Sequence, residues 1–351
     1  MYQQDKPWLY PVFFRRNRVF RVYKGGKLFH DFLGDPPEDG NLPEEWVCSS
    51  VRALNSGHTD PLEGISISED GVPFSQLLQE HPKEYLGQRK DLGVLVKYLD
   101  SAIRLPMQVH PTRAFSRQYF NSPYGKAESW LILDTRPGAC IYFGFSRQVS
   151  KEEFADAVER SKTDKNAMTE FVNCVPVEPG DVFYVDAGVI HAIGAGCLIL
   201  EVQEPTDFTV QPEYWCGDYL LNHHEMYLTL EEDVALDCFD YSRYGEKVAI
   251  EGKKEPKIFL EEETLRGETL IGPEDTPCFQ VDRYTLSGGK VVLSTPASVW
   301  ICVEGEGKLC AEDYEHPLKK GDYFFLPAAA AGNCYAVTEG NMKLVCCAGG
   351  N

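Results

Sequence analysis

Short runs rich in β-branched and aromatic residues recur along this chain: LGVLVKYLD, SWLILDT, ACIYFGF, DVFYVDA and CLILEVQ, with Gly, Pro, Asp and Asn as punctuation between them. Runs of that length and make-up fit strands, and their close succession predicts a mainly β fold, a sandwich or a barrel. Three stretches break the pattern. PFSQLLQEHPKEYLG, SKEEFADAVERSK and the region of LEEDVALDCFDY carry apolar residues at helical spacing, so short helical insertions are expected there. The second has the clearest start, with Ser150 as N-cap and Glu153 three residues on, a capping box.

A chain of 351 residues exceeds what one hydrophobic core usually serves, roughly 250 to 300 residues, so two domains are expected. The charged, Pro-terminated segment EGKKEP, residues 251–256, places the boundary near it and divides the chain into 1–252 and 253–351. Internal repetition agrees with the division. PGDVFYVDAGVIHAIGAGCLILEV, from Pro179, and KGDYFFLPAAAAGNCYAVTEGNMKLVCCAG, from Lys320, share Gly-Asp, a strand, a small-residue turn and a further strand. His191 in the first copy corresponds to Gly332 in the second, so chemistry at that histidine would belong to the first half alone.

Composition narrows the function classes. Apolar residues make up 43% and charged residues 25%, as in soluble globular proteins. No apolar run approaches the roughly 18 to 20 residues of a membrane helix. MYQQDKPWLYPVFFRR lacks the basic start and long apolar core of a secretion signal, so a cytoplasmic protein is expected. Twelve scattered cysteines with no CxxC pair read as reduced thiols, not a disulfide framework. A net charge of −20 disfavours nucleic acid and anionic membranes as partners, and any phosphorylated substrate would need a locally basic pocket. Gly194-Ala195-Gly196 and Gly288-Gly289-Lys290 are fragments of nucleotide-binding loops that lack the elements such loops require.

Four residues suggest a metal. In an extended strand, residues two apart share a face, so Gln108 and His110 of PMQVHP point into one space, bracketed by Pro106 and Pro111. Glu128 leads into the strand SWLIL, and His191 follows the turn DAGVI. Brought together by neighbouring strands, they offer two imidazole nitrogens and two oxygens. That mixed set suits zinc, with manganese, iron or cobalt as competitors. The bland alternative for each is a hydrogen-bonded structural residue, and spacing alone does not decide between the two.

LVKYLDSAIRLPMQVHP, YGKAESWLIL and GDVFYVDAGVIHAIGAGCLILEVQ resemble, in order, the three signature blocks of the type I mannose-6-phosphate isomerases, zinc enzymes built on cupin barrels. VYKGGKLFHDFLG and LPEEWVCSS resemble that family's two N-terminal blocks. The resemblance implies two cupin-type jelly-roll barrels, the second without metal ligands, and Gln108, His110, Glu128 and His191 as the ligands of zinc. It further implies Lys126 as an active-site lysine, for proton shuttling or oxyanion stabilisation, and Glu201 as an acid/base group beside the substrate. The implied reaction is aldose–ketose isomerisation through an enediol, mannose 6-phosphate to fructose 6-phosphate or a related sugar. Its partner is a small sugar or sugar phosphate. A non-catalytic sugar-binding or regulatory metal bicupin is the competing reading, and an iron cupin oxygenase is a third.

The departures from the family cluster on one side of its site. Where the family has an arginine used in catalysis and phosphate binding, EVQEPTDFTVQPEYW places Gln211 at the substrate. A phosphate-holding serine two residues before Gln108 is replaced by Pro106, and a histidine after the WE-type block by Ser50 or Val51. The expectation is a retained metal site with a moved substrate preference, unless Arg52 or Arg117 has taken the arginine's place.

Overall fold

A computed structural model describes residues 6–350; the first five residues of MYQQDKPWLYPVFFRR lie outside them. The fold is mainly β, as the punctuated apolar runs predict. Seven antiparallel strands form one sheet in the order Lys253–Lys254, Val182–Val185, Glu128–Thr135, Cys197–Gln203, Leu95–Ser101, Glu44–Val47 and Arg18–Val19. A second sheet of eight strands is drawn largely from the C-terminal part, with Ser298–Ala311, Tyr335–Gly349 and Phe279–Val292 at its centre. A third, of three strands, runs Val172–Pro176, Cys140–Phe145, His191–Ile193.

The seven-stranded sheet is covered on both faces, which explains why its central strands read as unbroken apolar runs. Every residue of Leu95–Ser101 and of Cys197–Gln203 is buried. Val96, Tyr98, Leu200 and Val202 join a core with Val281, Val299, Ile301 and Phe325 of the eight-stranded sheet. Side chains of opposite parity, Leu99, Ile199, Trp130 and Ile132, pack instead against Ile141, Phe143 and Ile193 of the three-stranded sheet. Because parity selects the face, Lys97, Glu128 and Glu201 all project to this second side.

The two halves exchange edges. Val12–Phe13 pairs with Phe324–Phe325 and so borders the eight-stranded sheet, while Lys253–Lys254 pairs with Val182–Phe183 of the seven-stranded one. Tyr323 Oη also donates to Glu45 Oε1 at 2.5 Å, a buried polar tie between the two sheets. In each copy of the sequence repeat a short strand, Val182–Val185 or Tyr323–Leu326, is followed by a turn and a longer strand, Cys197–Gln203 or Tyr335–Gly349.

Helices form where their spacing predicts them: Phe74–Glu80 and Pro82–Leu86, divided at the proline, then Lys151–Arg160 and Glu232–Leu236. Ser150 Oγ accepts from Glu153 N at 3.1 Å as expected of the N-cap, whereas the Glu153 carboxylate accepts from Arg147 at 2.6 Å. All twelve cysteines are free thiols. Gly194 does belong to packing and not to a nucleotide loop: a Cβ there would lie 2.2 Å from the Cys140 carbonyl. No helix among the described residues is long and apolar enough to cross a membrane.

Phe325 is fully buried in the shared core, edge-on to Phe74 with ring centroids 4.9 Å apart. Phe325→Ala is expected to cost about 3–5 kcal/mol, seen as a lower midpoint in denaturant titrations. Since both halves line that core, fluorescence and far-UV circular dichroism should report one shared transition; two separated transitions would contradict the shared core.

Candidate metal centre and active-site cavity

PMQVHP is extended, and its side chains alternate as the sequence predicts. Met107 and Val109 enter an apolar cluster, while Gln108 and His110 turn to the opposite side. Two backbone bonds of 2.9 Å, exchanged between Gln108 and His191, bring the His191 strand alongside. Lys126 N donates to Pro111 O at 3.1 Å, carrying the chain into the Glu128–Thr135 strand. Gly125 allows this approach, since a Cβ there would sit 2.6 Å from the Pro111 carbonyl oxygen.

The result is a knot of acceptors. His110 Nε2 lies 3.2 Å from His191 Nε2 and 3.0 Å from Glu128 Oε2, and His191 Nε2 lies 3.3 Å from Glu128 Oε1. His110 Nδ1 meets the Phe208 carbonyl at 3.1 Å and His191 Nδ1 the Val189 carbonyl at 2.8 Å. A carbonyl only accepts, so each Nδ1 holds the proton and each Nε2 presents a lone pair inward. Burial, helped by Lys126, pushes the His110 imidazole down to about 3, and burial lowers that of His191 as well. Burial alone would raise Glu128, but the Lys126 ammonium and His110 outweigh it and hold the carboxyl well below its usual range.

Four inward acceptor atoms, three residues and no solvent make an arrangement that a cation stabilises. Glu128 Oε1 is buried with no hydrogen-bond donor. Among the described residues the one donor that reaches the knot is the Lys126 ammonium, 2.7 Å from His110 Nε2 and 3.1 Å from Glu128 Oε2. His110, Glu128 and His191 group as a cluster able to hold a metal ion, with ligand atoms all within 4.8 Å of one another. Carbonyl-oriented imidazoles are what metal sites ordinarily use. Gln108 sits beside them on the cavity wall, 7% exposed. The residues therefore fit a divalent cation.

The adjoining cavity encloses about 340 Å³ and is lined by Gln108, Lys126, Glu201 and Gln211, all named by the sequence, and by Pro106. Glu201 stands directly opposite Lys97 in the strand register, and Lys97 Nζ lies 2.8 Å from Glu201 Oε1. That contact is an ion pair whose angle falls short of a well-aligned hydrogen bond, for Glu201 Oε1 has no hydrogen-bond donor by geometry. Burial, reinforced by Glu128, raises the Glu201 carboxyl in spite of Lys97. Gln211 Nε2 donates to the Glu225 carbonyl at 2.9 Å. Neither arginine considered as a substitute lines this cavity: Arg52 borders a neighbouring hollow with His58, and Arg117 is exposed on the Arg113–Tyr119 helix.

Sequence reasoning assigned no role to several residues of this wall. Arg21 ties Glu44 at 2.9 Å, Asn55 at 2.9 Å and Asp207 at 3.0 Å, and Lys97 completes the group. A signal existed for Lys97, a charge inside the largely apolar and fully buried Leu95–Ser101, and a weaker one for Glu44, the first of two glutamates opening the fully buried Glu44–Val47. Arg21 offered none; it becomes a wall residue only through contacts far along the chain.

A family model described as "Mannose-6-phosphate isomerase, cupin domain" matches residues 272–347. The mannose-6-phosphate isomerase ManA of Bacillus subtilis strain 168 is 32% identical over 321 residues, spanning 90% of this chain and 93% of that protein. The chain belongs to the mannose-6-phosphate isomerase family. It is accordingly an isomerase. A mannose-6-phosphate isomerase of Streptococcus mutans is 27% identical over 325 residues, 90% of this chain and 92% of its own length. Among solved structures, the B. subtilis mannose 6-phosphate isomerase superposes with a TM-score of 0.76 at 23% identity, covering 96% of this chain and 99% of that one. A mannosephosphate isomerase of Archaeoglobus fulgidus, described as putative, gives 0.71 at 18%, covering 97% and 98%. At these identities the structural matches speak for the fold.

Divalent metal at one hundred times its dissociation constant should stabilise the protein by about 2.7 kcal/mol, read as a rise in thermal midpoint. His191→Ala should abolish that rise and cut metal retained after gel filtration at least about tenfold; unaltered elemental content would remove His191 from the site.

Proposed function

We propose that the protein is a metal-dependent aldose–ketose isomerase of the mannose-6-phosphate isomerase type, with Gln108, His110, Glu128 and His191 holding zinc. The observation that carries this reading is the buried convergence of His110 Nε2, His191 Nε2 and both Glu128 oxygens beside a cavity that also presents Lys126 and Glu201. Manganese, iron or cobalt would satisfy the same donors. The chemistry is assigned to residues 1–252, read as a cupin-type jelly-roll barrel, with residues 253–351 as a second barrel lacking ligands. Free thiols throughout agree with a reducing compartment such as the cytoplasm.

Moving a proton between adjacent carbons through an enediol loads negative charge onto two substrate oxygens. When bound, the divalent cation supplies Lewis-acid stabilisation of that charge. Lys126 adds a buried ammonium on the same side, fixed by its contact with Glu128. Glu201 is the acid/base group: its raised proton affinity lets it take a proton from carbon and return it to the neighbour, and Lys97 orients it through their ion pair. Hydrophobic walls around Ile193, Leu99 and Leu105 limit the water that competes for these groups.

Isomerisation in deuterated water should leave deuterium at the exchanging carbon of the product, detected by mass spectrometry. Label in the product establishes the enediol and its exchange with solvent, whereas unlabelled product means that the hydrogen passes between the two carbons without exchange; metal-loaded protein that binds sugar but forms no product would favour the regulatory bicupin. Lys126→Ala, which removes no ligand, should keep full metal content while kcat falls about 10²- to 10⁴-fold.

A further inference from the structure

We propose that the hollow bordered by Arg52, His58 and His224 receives the phosphate of a sugar-phosphate substrate, with Arg52 as the residue that grips it. The proposal rests on the isomerase reading above and assigns one end of its substrate. The hollow encloses about 230 Å³ and joins the active-site cavity, since Leu54, Asn55, His224 and Leu228 line both. Phe120 and Phe208 stack along its wall with ring centroids 4.6 Å apart. The Phe208 carbonyl is the one that holds His110 Nδ1, so the hollow lies one residue away from the metal centre. The loop carrying Arg52 is fixed against the same segment: Leu54 N donates to Asp207 Oδ2 at 2.8 Å, and Ala53 N to the Glu63 carbonyl at 2.9 Å.

Charge singles out this hollow. In a chain of net charge −20 it is lined by no carboxylate, whereas Glu44, Glu201, Asp207 and Glu225 all line the cavity. The cations of the cavity are committed elsewhere. Arg21 is held by Glu44 and Asp207, and Lys97 by Glu201. Lys126 and the divalent cation belong to the knot around Glu128, where the reacting carbons go. Gln211 is uncharged, and its amide is taken by the Glu225 carbonyl. Arg52 differs from all of these: among the described residues it has no ion pair and no hydrogen bond. An unpaired guanidinium offers the planar fork that binds phosphate through two parallel bonds. The two histidines extend the site. His58 Nδ1 lies 3.0 Å from both Glu63 oxygens and His224 Nδ1 2.9 Å from the Leu228 carbonyl, which leaves Nε2 of each ring without a partner among the described residues. Phosphate can use such a nitrogen in either state, accepting from an imidazolium or donating its own P–OH to a neutral ring.

The test uses full-length, zinc-loaded protein with mannose 6-phosphate for turnover and inorganic phosphate for calorimetric binding. Arg52→Ala should raise the KM for mannose 6-phosphate and weaken phosphate binding by about ten- to a hundredfold each, with metal content unchanged. Arg52→Lys, which keeps the charge but loses the fork, should recover part of both. Arg117→Ala, at an exposed arginine outside the hollow, should alter neither. If Arg52→Ala leaves KM and phosphate affinity where they were, whether or not kcat falls, the phosphate is held elsewhere and the proposal fails while the isomerase reading stands. Wild-type protein that binds no phosphate overturns it as well. Arg52-dependent phosphate binding in a protein that turns over no sugar phosphate keeps the subsite and sinks the isomerase reading.

Discussion

Everything at the centre of this protein follows from an electrostatic demand: two imidazole lone pairs and a carboxylate point at one another, within 3.0 to 3.3 Å, in a place water does not reach. Acceptors so arranged repel unless something positive lies among them. Lys126 meets part of that demand, and a divalent cation would meet it more fully. The rest of the local structure keeps the acceptors from turning away. Backbone carbonyls at Val189 and Phe208 pin the two rings, and the paired backbones of Gln108 and His191 fix their separation.

The same logic extends outward along the sheet. Lys97, Glu201 and Glu44 belong to strands covered on both faces, where an unpaired charge would be prohibitive. They persist because each finds a partner: Lys97 opposite Glu201 in the register, and Glu44 against Arg21 and the indole of Trp46, two residues along its own strand. Burial would raise Glu44, yet Arg21 and Lys97 keep it well below the ordinary carboxylate range. The wall of the cavity is thus a charge lattice in which most valences are internally satisfied, and this sets what kind of molecule can rest against it.

Much of this arrangement can be read from the chain, and the reasons for the remainder are physical. Parity alone put Gln108 and His110 on one side of an extended segment, and placed Lys126 with Glu128. That a histidine far along the chain joined them required the family resemblance, because two-residue periodicity says nothing about which strands become neighbours. Glu201 of CLILEVQ was singled out by the family resemblance; Lys97, a charge inside the largely apolar LGVLVKYLD, was left without a role. Arg21 and Asp207 were hidden for another reason: their pairing closes a long loop, and neither lies in a run whose composition is odd. The exchanged edges at Val12–Phe13 and Lys253–Lys254 were invisible too, since two-residue strands are too short to leave a pattern.

The doubly covered sheet has a consequence for synthesis in the cell. Its face bearing Val96, Tyr98, Leu200 and Val202 gains its cover from Val281, Val299, Phe325 and Val345. Those residues leave the ribosome after the strands they cover. Until they do, a broad greasy surface remains open on a nascent polypeptide whose forward portion is already able to pair its strands. Such intermediates are aggregation-prone, so the interval before the covering strands emerge is the one in which chaperone protection matters most.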